Sequence, residues 1–368
     1  MEHDQIAARL RLALERETAR HRLSPDGWSQ IERRHRRRTW RRAWIAASCV
    51  AVIAAAATAV PYLWHAASGP PVTRPHQRPV SQLVLAGRTH LSLGVTKLAA
   101  GYGSVWVIGD GVIYQVDPAT VTIVATIPVP GTGEKLSDIA TGAGAVWVTR
   151  EAPRFGVYRI DPRQGRVTSF VRLQPTPTGI AVAYRRVWVT ESRPGPAIVI
   201  RIDPRTNRVS GPPIRVGVSP GRIVPGAGAL WFASGTGNGW MSRINPATGV
   251  VTRILANVEN VDAVGAGSLW VTPIHGGIQR VDPVTGRVTA TIPPRNAVRV
   301  IFWAGSAWAS TEQPSALVRI DPASGRIVGK AVPAGTTAIY IAAGPSGLWV
   351  TDFGRGDLLH FALPRGGP

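Results

Sequence analysis

The chain has 368 residues, and its 42 Lys and Arg against 21 Asp and Glu give a net charge of +21. Hydrophobic residues make up 44% and charged residues 17%, which excludes a mainly disordered protein and a coiled coil. Gly and Pro are abundant without a three-residue period, which excludes collagen, and the single cysteine, Cys49, excludes a disulfide framework and a Cys-based zinc site.

Residues 1–42 are predicted to form a basic helical segment. They contain 12 Arg and 6 acidic residues, a net charge of +6. Apolar residues recur every four positions over residues 4–20, which predicts an amphipathic helix, and Ser24 followed by Pro25 is typical of the start of a second helix. Two interpretations stay open: the arginines set the topology of a following anchor and bind anionic lipid, or the segment docks a cytoplasmic partner.

Residues 43–64 are predicted to cross a membrane as one helix. The 22 residues carry no charge, and at about 1.5 Å each they span roughly 33 Å, enough for the hydrocarbon core. Seven arginines within residues 33–42 precede the span, so the positive-inside rule places residues 1–42 in the cytoplasm and the rest of the chain outside it. An uncleaved anchor is favoured over a cleaved signal peptide, because Pro61 follows the best small-residue cleavage site closely.

Residues 65–80 are a Pro-rich linker, which we expect to act as a semi-rigid spacer between the anchor and the next domain. Residues 43–368 carry the remaining +15 of the net charge. Because that charge is predicted to lie outside the cytoplasm, nucleic acid is not expected as a partner.

Residues 81–364 repeat with a period near 41. A Gly-x-Gly-x-Val-Trp-Val-like string recurs at intervals of 41, 41, 43, 39, 38 and 41 residues, and an Arg-Ile-Asp-Pro-x-Thr-Gly-x-Val-like string follows most copies. Four short strand patterns fit each repeat, as in the blades of a β-propeller. The repeated tryptophans, which we expect to pack between neighbouring blades, are Trp106, Trp147, Trp188, Trp231, Trp270, Trp308 and Trp349.

The predicted fold class is all-β: a seven-bladed β-propeller, preceded by a short helical cytoplasmic segment and one transmembrane helix. The seventh repeat lacks one strand, and residues 81–86 are left over before the first repeat. We expect them to complete the last blade and close the ring. The arginine before each Ile-Asp-Pro-like string is expected to form cross-strand pairs on a solvated blade face; these residues are Arg159, Arg201, Arg243, Arg280 and Arg319.

The Trp-Val-Thr and Arg-Ile-Asp-Pro-x-Thr-Gly-x-Val strings resemble the repeats of the bacterial YncE-like, YVTN-type propellers. They are also similar to those of the streptogramin (virginiamycin B) lyase group of seven-bladed propellers, and the resemblance covers residues 81–363. It implies the fold, which carries many unrelated functions. The lyase group further implies opening of a depsipeptide ring by elimination, with His, Glu and Mg²⁺ on the face that carries the longer loops.

Differences between the repeats predict a site at the mouth of the central channel. Asp262 interrupts an apolar row there, and a carboxylate in such a row is costly unless it is paired, so Arg222 and Arg299 on the flanking blades are its expected partners. The mouth forms either a polar ligand site or a set of residues that pair with each other. The residues nine positions before each repeated tryptophan are predicted to line the mouth: Lys97, Asp138, Gly179, Arg222, Val261, Arg299 and Tyr340.

A second set of residues is expected around the rim of the mouth, three to five positions after each tryptophan. Five of the seven are acidic in an otherwise basic chain, and they either contact a ligand or cap hairpins. Glu191 and Asp352 are the rim residues predicted to bind ligand together with those at the mouth. The whole set is Asp110, Glu151, Glu191, Ser234, His275, Glu312 and Asp352.

The predicted function is that of a membrane-anchored, extracytoplasmic propeller that binds an unknown ligand or protein as a sensor or scaffold, with no cofactor. One alternative is a Mg²⁺-dependent enzyme of the streptogramin B lyase type, in which His275 is the base and Glu312 lies on the next blade. Pro177-Thr178-Gly179 lacks the His that the lyases tend to have at blade entries. A further alternative is signalling through residues 1–42.

Overall fold

The computed structural model describes residues 82–364, with gaps at 132–134, 153, 175, 193–194, 218–219 and 235–238. The chain divides into two units, Met1–Pro75 and His76–Pro368, and every described residue belongs to the second. The predicted cytoplasmic segment, membrane helix and linker therefore lie outside the described residues. No helix long and apolar enough to span a membrane occurs in the described part.

The described residues form seven antiparallel sheets, which are the seven predicted blades. The first three blades consist of β2(Leu98–Gly101), β3(Ser104–Ile108), β4(Val112–Asp117) and β5(Thr122–Pro128); β6(Lys135–Gly142), β7(Ala145–Ala152), β8(Gly156–Asp161) and β9(Arg166–Arg172); and β10(Thr176–Ala183), β11(Arg186–Ser192), β12(Ala197–Asp203), β13(Arg208–Val209) and β14(Ile214–Gly217).

Blades 4 to 7 follow in the same order from the innermost strand outward. They consist of β15(Pro220–Gly226), β16(Ala229–Ser234), β17(Trp240–Ile244) and β18(Val251–Ala256); β19(Val258–Gly265), β20(Ser268–Pro273), β21(Ile278–Val281) and β22(Val288–Ile292); β23(Ala297–Trp303), β24(Ser306–Thr311), β25(Ala316–Ile320) and β26(Val332–Pro333); and β27(Ala338–Gly344), β28(Gly347–Asp352), β29(Asp357–Ala362) and β1(Val84–His90).

The innermost strands form a closed ring around the channel. Each lies beside the innermost strand of the next blade, and β27 lies beside β2. All-β architecture and the seven-bladed propeller are thus confirmed.

The strand before the first repeat closes the ring, as predicted. β1 pairs antiparallel with β29 from Val84 opposite Ala362 to His90 opposite Asp357, and so supplies the outermost strand of blade 7. The strand begins three residues later than residue 81 and continues past residue 86. Phe361, on the strand that β1 covers, is fully buried.

The repeated tryptophans form the core between blades. Each is at most 2% exposed, and Trp147, for example, packs on Ile180 and Val189 of the next blade. Burying a large apolar side chain contributes about 1.5–3 kcal/mol, so seven such contacts form the main inter-blade stabilisation. In six blades the indole N–H also donates to the backbone carbonyl five residues earlier, across the first hairpin.

The arginines of the third strands do pair across strands, with partly buried stems and, in blades 2, 3 and 5, guanidinium groups that form hydrogen bonds at exposed positions. Each lies opposite the blade's tryptophan in the sheet register and is half-buried. The guanidinium carbons of Arg159, Arg280 and Arg319 lie 5.8, 5.6 and 5.8 Å from the centroids of the indole rings. Cation–π stacking on the core tryptophan therefore explains this arginine in blades 2, 5 and 6. His360 replaces it in blade 7 and stacks on Trp349 with ring centroids 4.1 Å apart.

Candidate functional site

The predicted mouth residues lie at the start of the innermost strands, where bulges interrupt the ladders. In blades 2 to 7 the pairing of the first and second strands shifts register at or beside the mouth position. A bulge turns a side chain away from the regular pleat, and such bulges are common beside functional sites. The bulges therefore take the predicted mouth positions out of the regular alternation of the strand, while the apolar row behind them stays in the core.

Blade 5 corrects the predicted mouth set. Counting back nine residues from Trp270 places Val261 at the mouth, but Val261 lies opposite Val271 and is 1% exposed in the apolar row. Asn260 lies opposite Thr272, which is the register of Arg299 and Tyr340 in their own blades. Asp262 is an extra, unpaired residue in a bulge between Val261 and Ala263. Because this insertion lies between the mouth position and Trp270, the mouth residue is ten positions before the tryptophan in this blade instead of nine.

Asp262 lies in a buried cluster with Arg299 and Thr272. Arg299 Nη1 lies 3.7 Å from Asp262 Oδ1, and the Thr272 hydroxyl donates a hydrogen bond to Asp262 Oδ2. The carboxylate side chain is fully buried and that of Arg299 is 14% exposed. Burial raises the pKa of Asp262, while Arg299, Thr272 and Arg222 act to lower it. The predicted pairing of Asp262 with Arg299 is confirmed, and Arg222 acts on it at longer range.

A continuous chain of contacts runs from this cluster around most of the mouth. The Tyr340 ring lies between two cations, with Arg299 Cζ 5.9 Å and Lys97 Nζ 4.8 Å from its centroid. Lys97 Nζ is 3.8 Å from Asp138 Oδ1, and Asp138 Oδ2 accepts a hydrogen bond of 3.2 Å from the backbone N–H of Ile180. The chain therefore joins blades 5, 6, 7, 1, 2 and 3.

Charge is unevenly compensated at the mouth. Burial lowers the pKa of Lys97, and the nearby cations Arg299 and Arg222 lower it further, against the opposite effect of Asp138. Arg222, in blade 4, is exposed, and no carboxylate of a described residue forms an ion pair with it. Lys97 and Arg299 each lie beside one buried carboxylate, that of Asp138 and of Asp262, and Arg222 is the cation outside the contact chain.

The rim acid Asp352 binds a neighbouring loop instead of opening onto the mouth. Asp352, 1% exposed, accepts hydrogen bonds from the backbone N–H and hydroxyl of Thr336 and from the N–H of Thr337. Burial alone would raise the pKa of Asp352, but these hydrogen bonds outweigh it and lower the pKa. Glu151 lies 2.6 Å from Lys135, and Glu191 is fully buried. These bonds tie Asp352 to the loop that leads into the first strand of blade 7.

The two residues singled out under the lyase alternative lie at exposed positions. His275 follows the second strand of blade 5, and Glu312 follows that of blade 6. Asp110 is also exposed, and Ser234 is half-buried. Over the described ranges, no three His, Cys, Asp or Glu side chains converge on a point that could hold a metal ion. The described residues therefore do not fit a Mg²⁺ site built from three protein side chains.

A ring of buried hydroxyls was not predicted, although its signal is the Thr of Trp-Val-Thr. Thr190 donates to the carbonyl of Gly221 at 3.2 Å, and Thr351 to that of Thr96 at 2.8 Å, each on the next blade. Thr272 instead binds Asp262. In the following blade Arg299 Nη1 donates to the carbonyl of Val298 at 3.1 Å. In blade 5 the hydroxyl at this position thus binds a carboxylate of its own blade, whereas Ser310 of blade 6 donates to the carbonyl of Ile339 on blade 7 at 3.5 Å.

Solved structures with the same fold include two of virginiamycin B lyase from Staphylococcus aureus. The selenomethionine-substituted lyase is 19% identical, with a TM-score of 0.64, covering 77% of this chain and 100% of that one. A catalytically inactive histidine-to-alanine variant with quinupristin is 20% identical at the same TM-score and coverage. Hydrazine synthase from Kuenenia stuttgartiensis is 12% identical, with a TM-score of 0.62 over 75% of this chain and 97% of that one.

These likenesses establish the shared fold. No family profile matches the sequence, and no curated protein sequence matches it.

Proposed function

We propose that the propeller is a binding domain that takes a ligand with an anionic group, such as a carboxylate, at the mouth of its channel. The observation that carries the proposal is the exposed guanidinium of Arg222, which has no ion pair with a described carboxylate. Arg presents a planar fork of donors that matches a carboxylate in a bidentate geometry. Arg222 is therefore the proposed anchor for the ligand.

The charge balance around Arg222 favours an anion over a cation or a neutral group. Lys97, Arg299 and Arg222 repel one another, which contributes to the lowered pKa of Lys97. A bound anion would offset this repulsion. Tyr340, half-buried between two of the cations, offers a ring face for an apolar part of the same ligand.

The test is binding of soluble cell-wall muropeptides, which carry carboxylates, to the full chain in detergent, measured by thermal shift and isothermal titration calorimetry. Binding should raise the melting temperature, and Arg222→Ala should weaken the affinity about tenfold or more. Arg172→Ala is the matched control, because Arg172 is also exposed but lies at the end of an outer strand. Equal effects of the two substitutions would contradict the proposed anchor.

The same proposal includes the location of the domain. Residues 43–64 would anchor it in the membrane, with residues 1–42 in the cytoplasm and the propeller outside. In a Cys49→Ala background, single cysteines at Ser29 and Ser68 should differ in labelling by an impermeant maleimide on intact cells. Labelling at Ser68 alone supports the proposed topology, and labelling at Ser29 contradicts it.

A second candidate is a lyase that opens a cyclic depsipeptide. It is supported by the likeness of fold to virginiamycin B lyase and by the exposed imidazole of His275 beyond the second strand of blade 5. Incubation of the full chain with a type B streptogramin, followed by mass spectrometry, tests it. Ring opening that His275→Ala abolishes would make this chain an enzyme, and an unchanged substrate would leave the binding proposal in place.

A further inference from the structure

The opposite face of the propeller carries the short turns, and blade 3 differs there from the others. The turn between first and second strands has two residues with positive φ in blades 1 to 6. In five of these blades the second turn residue is a glycine: Gly103, Gly144, Gly228, Gly267 and Gly305.

Blade 3 places Tyr184 and Arg185 in this turn, with φ of 51° and 60°. A left-handed conformation strains any residue that has a Cβ atom, and a bulky non-glycine residue there is a genuine outlier. Strain of this kind concentrates at functional sites. The backbone conformation of the turn favours glycine and therefore does not explain the arginine at position 185.

The next residue is also exceptional. Arg186 begins the second strand where the other blades have a small residue: Ser104, Ala145, Ala229, Ser268, Ser306 and Gly347. Arg186 thus lies near Arg201, the arginine of the third strand, and Arg201 donates to the carbonyl of Pro212 at 3.0 Å. Arginine thus replaces a glycine and a small residue at two consecutive positions of this one repeat, which adds two positive charges beside the turn.

These residues line an open cleft of about 930 Å³ at the turns of blades 2, 3 and 4. Four guanidinium groups border it, those of Arg185, Arg186, Arg201 and Arg205, against the single carboxylate of Asp203. Asp203 is already engaged, because Arg186 Nη1 lies 3.8 Å away and the backbone N–H of Arg205 donates to Oδ1 at 2.9 Å. The cleft therefore keeps an excess of positive charge.

The outer strand of the same blade shapes the cleft. It is broken into β13 and β14, and Ser210 and Gly211, from the break, line the cleft together with Pro246 of blade 4. A volume of this size fits a small molecule, within the 300–1,000 Å³ common for ligand sites. Arginine forks recognise phosphoryl groups in bidentate geometry, and several of them together suit a ligand with more than one such group.

We propose that this cleft, which we call the arginine cleft (Arg185, Arg186, Arg201 and Arg205), binds a compact ligand carrying two or more phosphoryl groups. The site lies at the opposite end of the innermost strands from Lys97 and Arg222, so it is independent of the channel mouth. A soluble polyphosphate and a short segment of a phosphate-rich wall polymer both present such groups and share the same chemistry.

Titration calorimetry of the full chain with tripolyphosphate, at about 150 mM salt, tests the proposal. Tripolyphosphate should bind more tightly than inorganic phosphate, and its affinity should fall as salt rises. Arg185→Gly should weaken binding at least tenfold while raising the melting temperature, because glycine relieves the strained turn. A weaker interaction caused by unfolding would lower the melting temperature instead, so the two effects are separable.

Arg186→Ser, which restores the residue of blades 1, 5 and 6, should weaken tripolyphosphate binding similarly. Arg163→Ala is the control, because Arg163 occupies in blade 2 the exposed turn position that Arg205 occupies in blade 3. Glycerol-phosphate polymer, tested alongside, distinguishes a polymeric source from a soluble one. No binding of tripolyphosphate, or binding that Arg185→Gly and Arg186→Ser leave unchanged, would overturn the proposal.

Discussion

Asp262 and Arg299 show how one inserted residue changes the chemistry of a repeat. The bulge at Asp262 places a carboxylate beside the channel while Val261 keeps the place of the apolar row. The mouth positions were predictable from the spacing to each tryptophan in six blades, because the repeat fixes that spacing. Asn260 was missed because the spacing rule allows for no inserted residue, although the carboxylate of Asp262 in the apolar row marked the insertion.

Breaking this pair should be costly. Arg299→Met leaves Asp262 as an unpaired buried charge, for which a loss of about 3–5 kcal/mol in the free energy of unfolding is expected. Arg222→Met should change it by less than about 0.5 kcal/mol, because Arg222 is exposed. Urea denaturation measures both. The double variant Asp262→Asn with Arg299→Met should recover part of the loss, and full additivity of the two changes would contradict the coupling.

His360 should make stability depend on pH. Burial lowers the pKa of His360 below 6.5, against the weaker opposing effect of its contact with the carbonyl of Ser346. The unfolded chain therefore binds a proton at a higher pH than the folded one. The stability that His360 contributes is complete above about pH 6.5 and is lost as the pH falls below it.

The variant that tests this is His360→Gln, since Gln115 occupies the same register in blade 1. Between pH 7.5 and pH 5, the native chain should lose more free energy of unfolding in urea than the variant does. Parallel losses in the two proteins would show that His360 does not titrate on unfolding.

At the scale of single elements, the sequence predicts the turns better than it predicts the lengths and breaks of the strands. The recurring Gly-x-Gly-like string lies at the first hairpins, and five of its glycines have positive φ at the second turn position. The broken outer strand of blade 3 was not predicted, although the interval of 43 residues between Trp188 and Trp231 was its signal. An insertion shows in the length of a repeat, but its position within the blade depends on packing.

Gly228→Ala tests the backbone cost in a turn of blade 4. Gly228 has φ of 71° and open space where a Cβ atom would be, so only backbone strain opposes the substitution. We expect a loss of about 1 kcal/mol in the free energy of unfolding. Gly221→Ala, in the same blade, lacks positive φ and would meet only an ordinary contact at 3.7 Å. Denaturation curves that do not separate the two variants would contradict the argument.

Across the whole molecule, closure of the ring was predictable because the repeats left one strand missing at one end and one extra at the other. β1 fills the outer edge of blade 7, and the His90 and Arg88 side chains lie 2.9 and 3.6 Å from Asp357. The ligand could not be predicted, since the fold is shared by proteins with unrelated activities.

A chain that begins at Leu91 should be far less stable than one that begins at His76. Without β1, the edge of β29 is exposed together with Phe361, so we expect a loss of several kcal/mol and association through the open edge. Urea unfolding and light scattering measure the two effects. Equal stability and a monomeric state in both chains would show that closure by β1 is dispensable.

The pairing of Val84 with Ala362 brings the two ends of the propeller side by side. A few added residues could therefore join them, and new ends could be made at a loop between two other blades. Such a circular permutant would keep the same inter-blade tryptophan contacts. Another blade would then be the one completed by strands from both ends of the chain. The order of the blades around the ring would then be unchanged, and only the point at which synthesis begins would differ.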